Sequence, residues 1–154
     1  MRFLQLQNNT LSGKIPSNLS SCSNLEALHV ACNFLDGEIP KMLGTLSKLW
    51  FHASYRNNLI EMIFSFLKSF SVGENNLGGI IPDAFDQLTK LIFFVVGRNR
   101  LTSNNSFLNV QFVFAVAINQ IQGHLPLDIG ITLPNMERLN LQDLSQFQHL
   151  TPQI

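Results

Sequence analysis

The sequence predicts an α/β solenoid: a right-handed horseshoe arc of stacked repeats, with a parallel β-sheet on the concave side and an irregular or 3-10 convex side. Three observations carry this. An asparagine recurs at Asn9, Asn33, Asn57, Asn75, Asn99 and Asn119, spaced 24, 24, 18, 24 and 20 residues apart. Alternating inward positions precede it, as at Leu4/Leu6, Leu28/Val30, Phe70/Val72, Phe94/Val96 and Phe114/Val116, and again at Leu139/Leu141. A glycine and a proline follow it at Gly13/Pro16, Gly37/Pro40, Gly79/Pro82 and Gly123/Pro126. Self-similarity at a period of this length means that each copy is one supersecondary unit that buries its apolar face only by stacking on its neighbours.

Each part of the unit has a mechanical role. Alternation at period two makes a short strand with every second side chain turned inward. The asparagine turns the chain, and its amide can satisfy backbone groups that a buried bend would orphan, so the six form a hydrogen-bonded ladder. Glycine supplies a backbone geometry that a side chain hinders, and proline stiffens the segment beyond it.

Taken in order, the copies span 1–24, 25–48, 49–66, 67–90, 91–110 and 111–135, with a partial copy at 136–144; 145–154 reads as an irregular tail. The third and fifth copies are short. They are also the ones that lose the glycine, with Glu61 and Ser103 in its place, while Asn57, Leu59, Asn99 and Leu101 stay in step. The strand face should therefore continue while the back of the solenoid is shortened. In the third copy the frame puts His52 and Ser54 inward and Phe51, Ala53 and Tyr55 outward; either a bulge lies near Ala53 or this strand packs poorly. Phe64 to Phe70 also reads as an amphipathic helical turn.

Composition narrows the function. Charged residues make up 13% of the chain and the formal charge is zero, which removes the electrostatic case for nucleic acid or an anionic membrane surface. Cys22 reads as a buried inward thiol and Cys32 as outward, an orientation that does not favour a bridge. The four histidines, His29, His52, His124 and His149, show no metal-ligand spacing, and Asp83, Asp86 and Asp128 have no partner base or nucleophile. The reading is of a chain with no catalytic residues, cofactor or metal. No apolar run reaches the length of a membrane span. The first copy begins at Met1 without a secretory leader or a polar cap, which is read as a sign that the protein's true start lies elsewhere. Met1, Leu4 and Leu6 form an open sheet edge.

The motif LxLxxNxLxGxIPxxL, complete in MRFLQLQNNTLSGKIPSNL, resembles the plant-specific leucine-rich repeat. Phrases such as SVGENNLGGIIPDAF and FFVVGRNRL are similar to the ectodomains of plant leucine-rich-repeat receptor-like kinases, in the immune-receptor branch. The resemblance implies a peptide or protein ligand, a co-receptor ectodomain as a second partner, and a place on the extracellular side of the plasma membrane. The kinase of that family, with its Gly-rich loop, HRD and DFG motifs, is absent from these residues. Competing readings are a truncated or degenerate receptor fragment, and a secreted inhibitor of cell-wall-degrading enzymes built on the same repeat.

Ligands of such receptors lie on the concave sheet, where the middle copies place Phe51, Tyr55, Arg56, Glu74, Phe93 and Arg98. Aromatic and Arg-rich composition on a rigid sheet suits an interaction surface, and Arg56 and Arg98 flanking Glu74 suit a carboxylate group. Asn8, Asn18 and Asn104 head N-x-S/T sequons and are candidate glycosylation sites.

Overall fold

In the computed structural model the described residues are 1–61, 68–81, 92–103, 113–123, 137–142 and 146–147. A solenoid is what they form. Seven three-residue strands, one per repeat, make a single parallel sheet: β1 (Phe3–Gln5), β3 (Ala27–His29), β5 (Phe51–Ala53), β7 (Ser69–Ser71), β9 (Phe93–Val95), β11 (Val113–Ala115) and β13 (Arg138–Asn140). The register keeps equivalent positions side by side, so that Phe3, Ala27, Phe51, Ser69, Phe93, Val113 and Arg138 form one row across the sheet.

Inward residues build a linear core. Leu28, Val30, Phe70, Val72, Phe94, Val96 and Val116 are buried, joined from the returning segments by residues such as Leu25, Leu35, Leu59, Leu77, Leu101 and Ile121. At the first repeat the core thins: Leu4 is only partly buried, and Met1, Leu6 and Leu11 are exposed. Ala27, Ala31 and Ala53, expected outward, are buried nonetheless, because a lone methyl group does not clear the larger side chains around it.

The third strand corrects the expectation of a bulge or loose packing. The pairing of Phe51, His52 and Ala53 with β3 and β7 is unbroken. His52 and Ser54 are buried, and His52 Nε2 lies 3.0 Å from Ser54 Oγ. The imidazole also stacks on Phe70, 5.5 Å between ring centroids. A histidine in a leucine position is thus accommodated by a hydrogen-bonding neighbour two residues on and a flat partner in the next repeat.

From the second repeat on, each ladder asparagine ties its own turn to the one before. Asn33 Nδ2 donates to Val30 O and Ala31 O in its own turn and to Leu6 O in the turn before, and its Oδ1 accepts from Leu11 N at 3.0 Å. Asn57, Asn75, Asn99 and Asn119 repeat the arrangement, accepting from Leu35, Leu59, Leu77 and Leu101. Asn9 bonds only to Leu6 O and Gln7 O. The residue before each asparagine is left-handed: φ is 58° at Asn8, 55° at Cys32, 53° at Arg56 and Glu74, 57° at Arg98 and 55° at Ile118. This requirement is invisible in the motif, because no glycine marks it.

The back of the solenoid carries the expected 3-10 turns and, besides them, a second set of strands. Two 3-10 turns, Ser17–Ser21 and Lys41–Thr45, follow Pro16 and Pro40. Between the long sheet and these turns runs a second set of parallel strands: β2 (Ser12–Lys14), β4 (Phe34–Glu38) and β6 (Asn58–Glu61); β8 (Gly78–Ile81) and β10 (Arg100–Ser103); and β12 (Gln122–Gly123) and β14 (Gln146–Phe147). The one register shift in β4–β6 falls between Gly37 and Glu38. The three groups are separate sheets, and the breaks fall after β6 and after β10, in the two short repeats. β14 places part of the segment read as an irregular tail within this second set. Cys22 and Cys32 are both free and half-buried, Cys22 packing at the margin of the core instead of inside it. Most of the turn read in Phe64 to Phe70 lies outside the described residues; its last two, Ser69 and Phe70, are in β7.

Candidate ligand-binding face

Of the six residues expected to form one surface, five divide between two recesses on the outer face of the long sheet, and Arg56 lines neither. Phe51 and Phe93 stand at the start of their strands and line an apolar recess of about 660 Å³ with Trp50, Lys68, Ser69 and Ile92. Tyr55, Glu74 and Arg98 lie toward the other ends and line a smaller, more polar recess of about 420 Å³. Four residues along a strand separate Phe51 from Tyr55, roughly 13 Å at strand rise.

The floor of the polar recess is made of residues with little or no side chain: Gly73, Gly97, Ala115 and Ala117. A Cβ added at Gly73 would come within 3.1 Å of Gly97 O, and one at Gly97 within 3.2 Å of Ala117 O. Glycine here keeps neighbouring turns close and leaves the backbone as the floor. Asn140 and Gln142 add amides on the far side.

Arg56 Nε donates to Glu74 Oε2 at 3.1 Å, and this hydrogen bond, with the charge attraction behind it, raises the guanidinium pKa further. The expected pair of arginines is therefore not a symmetric clamp, since Arg56 is engaged by the carboxylate it was to flank. Arg98 has no ion-pair partner among the described residues. The pair is exposed and worth little to stability; its effect is to leave Arg98 as the uncommitted cation beside the recess. Arg2 and Glu26, at the near edge of the sheet, form a two-bond pair at 2.8 and 2.9 Å.

Of the sequon asparagines, Asn8 is exposed in a left-handed turn at the edge of the sheet face, Asn18 is exposed in the 3-10 turn on the back, and Asn104 lies outside the described residues. His29 packs edge-on to Phe51, 5.7 Å between centroids, and beside Tyr55 at 6.1 Å, linking the two recesses. Among the described residues no group of three His, Cys, Asp or Glu side chains could hold a metal ion, and no helix is long and apolar enough to cross a membrane.

Trp50, Lys68 and Ile92 were not legible as site residues because they precede the strand alternation. Aligning the repeats one position earlier reveals the column Arg2, Glu26, Trp50, Lys68, Ile92, in which two large apolar residues face solvent.

A parallel sheet with one strand per turn, a buried asparagine ladder and a thin core define a leucine-rich-repeat solenoid. The Leucine Rich Repeat family model matches residues 1–22 and 66–88, both in full-length copies. The chain is of the plant receptor-like ectodomain type. It is 34% identical over 112 residues to Receptor-like protein 32 of Arabidopsis thaliana, covering 70% of this chain and 13% of that protein. It is 39% identical over 93 residues to the systemin receptor SR160 of Solanum peruvianum, covering 52% and 8%. Among solved structures it resembles a chain in the crystal structure of the Arabidopsis receptor kinase HAESA in complex with the peptide hormone IDA and the co-receptor SERK1. There the TM-score is 0.81 and the identity 25%, over 96% of this chain and 26% of that one. The PEPR1–AtPEP1 structure gives a TM-score of 0.79 at 27% identity, over 95% and 22%. The chain thus spans a small part of the proteins it matches.

Proposed function

We propose that the chain is a non-catalytic recognition segment that takes up an extended peptide along the outer face of its long sheet, on the extracellular side of the plasma membrane. Its setting is defence signalling, to which its repeat phrases are most similar, with a co-receptor ectodomain as a further partner. The observation that carries the peptide reading is the polar recess, a floor of glycine and other small residues flanked by Tyr55, by the amides of Asn140 and Gln142, and by the uncommitted charge of Arg98. A floor of this kind admits a peptide main chain, the amides can satisfy its polar groups, and Arg98 suits a carboxylate. The HAESA structure, which holds a peptide hormone, supports the reading by its likeness over nearly the whole of this chain.

The test is selection of peptides from a random library on the 154-residue chain, followed by titration of the winners against Arg98→Glu and Ala117→Trp. Both variants should weaken binding by about tenfold or more, equivalent to about 1.4 kcal/mol. Winners that bind both variants as they bind the parent would place recognition elsewhere.

A further inference from the structure

The apolar recess has the shape of a slot with one ring missing. Phe51, Ser69 and Phe93 are register partners in three consecutive strands. Phe51 and Phe93 are therefore two strand spacings apart, roughly 9.6 Å, with only a hydroxymethyl group between them. One residue further along the same strands, on the inner face, the equivalent row is His52, Phe70 and Phe94. There the central position does carry a ring, and the three stack at 5.5 and 6.0 Å between centroids, with interplanar angles of 26° and 17°. The sheet thus shows in its own core what its strand spacing does with three aromatic rings in a row. On the outer face the row is the same except for its centre.

We infer that this slot takes an aromatic side chain from a peptide ligand, seated over Ser69 between Phe51 and Phe93, with an acidic residue next to it in the ligand. A guest ring midway between the two walls would lie roughly 4.8 Å from each, within the range of offset stacking. Trp50 and Ile92, one residue before the two phenylalanines, extend the slot and are 45% and 40% exposed, so the guest would cover apolar surface that is now open to water. Trp50 is held edge-on to Phe51 at 5.7 Å and does not collapse into the gap. The acidic neighbour follows from Lys68, which lines the slot, is exposed, and has no carboxylate partner among the described residues. The inference rests on the reading of this face as a peptide-binding surface and adds the kind of residue that anchors the ligand.

Trp50 is the sole tryptophan, so its emission reports on the slot directly. The full chain is titrated with acetyl-Asp-Phe-amide. Emission should change saturably, with affinity weaker by about tenfold or more for acetyl-Asp-Ala-amide, and lowered for acetyl-Lys-Phe-amide. Ser69→Phe, which supplies the missing ring from the protein itself, should abolish the response to acetyl-Asp-Phe-amide, while Lys41→Ala, in the 3-10 turn on the back of the solenoid, retains it. An absent response in the parent chain, an equal response to the alanine probe, or an undiminished response in Ser69→Phe overturns the slot. If the probe fails while library-selected peptides still depend on Arg98, only the slot is lost. If the probe binds and no peptide depends on Arg98, the polar recess fails and the slot stands.

Discussion

A histidine in the core of an aliphatic solenoid makes stability a function of pH. Burial pushes His52 down from its ordinary range to about 4, because the charged form would lose its water without gaining a carboxylate. In the unfolded chain the ring has its usual pKa near 6.5. Between those two values the unfolded state binds a proton that the folded state refuses, so stability is full above about pH 6.5 and falls as pH drops toward 4. The span corresponds to roughly 3 kcal/mol. Urea titrations at pH 7.5 and 4.5 should show that loss in the parent chain. The double variant His52→Phe with Ser54→Ala, which keeps the stacked ring and leaves no hydroxyl without its partner, should lose less by a corresponding amount. The sequence placed His52 inward from the asparagine frame alone. What it did not disclose was the remedy, since the contact with Ser54 and the stacking on Phe70 depend on side-chain directions across a strand pair. The left-handed residues were hidden for a related reason: Asn8, Cys32, Arg56, Glu74, Arg98 and Ile118 share a φ but no chemistry.

Strand by strand, the length of a repeat decides whether its back can pair with the next. Four steps between repeats, the two at the breaks among them, keep the first hydrogen bond of the second set of strands: Phe34 N to Leu11 O, Asn76 N to Leu59 O, Arg100 N to Leu77 O and Gln120 N to Leu101 O. Pairing then continues after the full-length copies and stops after the two short ones. Glycine is part of the reason. Gly13, Gly37 and Gly79 have φ of 81°, 72° and 93°, a conformation that Glu61 and Ser103 could adopt only with strain. A shorter return path without that corner redirects the chain before a ladder can form. The amides of Gly78 and Gln122, which follow the two breaks, should therefore exchange with deuterium sooner than those of Asp36 and Thr102, which sit inside paired stretches; residue-resolved exchange by NMR checks the order. The loss of glycine and the shortening were both legible in the sequence, and so was the survival of the strand face. The second set of strands was not, because its residues do not alternate in hydrophobicity: β2 reads Ser-Gly-Lys and β8 reads Gly-Gly-Ile-Ile. Its register comes from stacking of the turns. The site was half legible for the same kind of reason. Composition found Phe51, Phe93, Tyr55 and Arg98, but their division into two recesses depends on the small residues Ser69, Gly73 and Gly97 between them.

Across the whole molecule, the two breaks divide the back of the solenoid into blocks formed by repeats one to three, four and five, and six and seven, while the long sheet and the asparagine ladder run through without interruption. In a linear array the unfolding of neighbours is coupled only through the interfaces they share. At the first break, where the second set of strands does not pair, Asn75 adds to the long sheet two bonds of that coupling, donating to Ser54 O at 3.0 Å and accepting from Leu59 N at 3.0 Å. Asn99 makes the same bonds, to Val72 O and from Leu77 N, but across an interface that also has the β8–β10 ladder. Asn75→Ala and Asn99→Ala should cost similar amounts, since each leaves buried backbone groups unpaired, about 1–3 kcal/mol per group. Their effect on cooperativity should differ. The parent chain and Asn99→Ala should unfold in urea with the same midpoint by Trp50 emission, which reports on the third repeat, and by far-UV circular dichroism, which averages over the chain. Asn75→Ala should separate the two midpoints, because the block that holds Trp50 then melts on its own. Coincident curves for Asn75→Ala would mean that the long sheet and its core couple the blocks without help from the ladder.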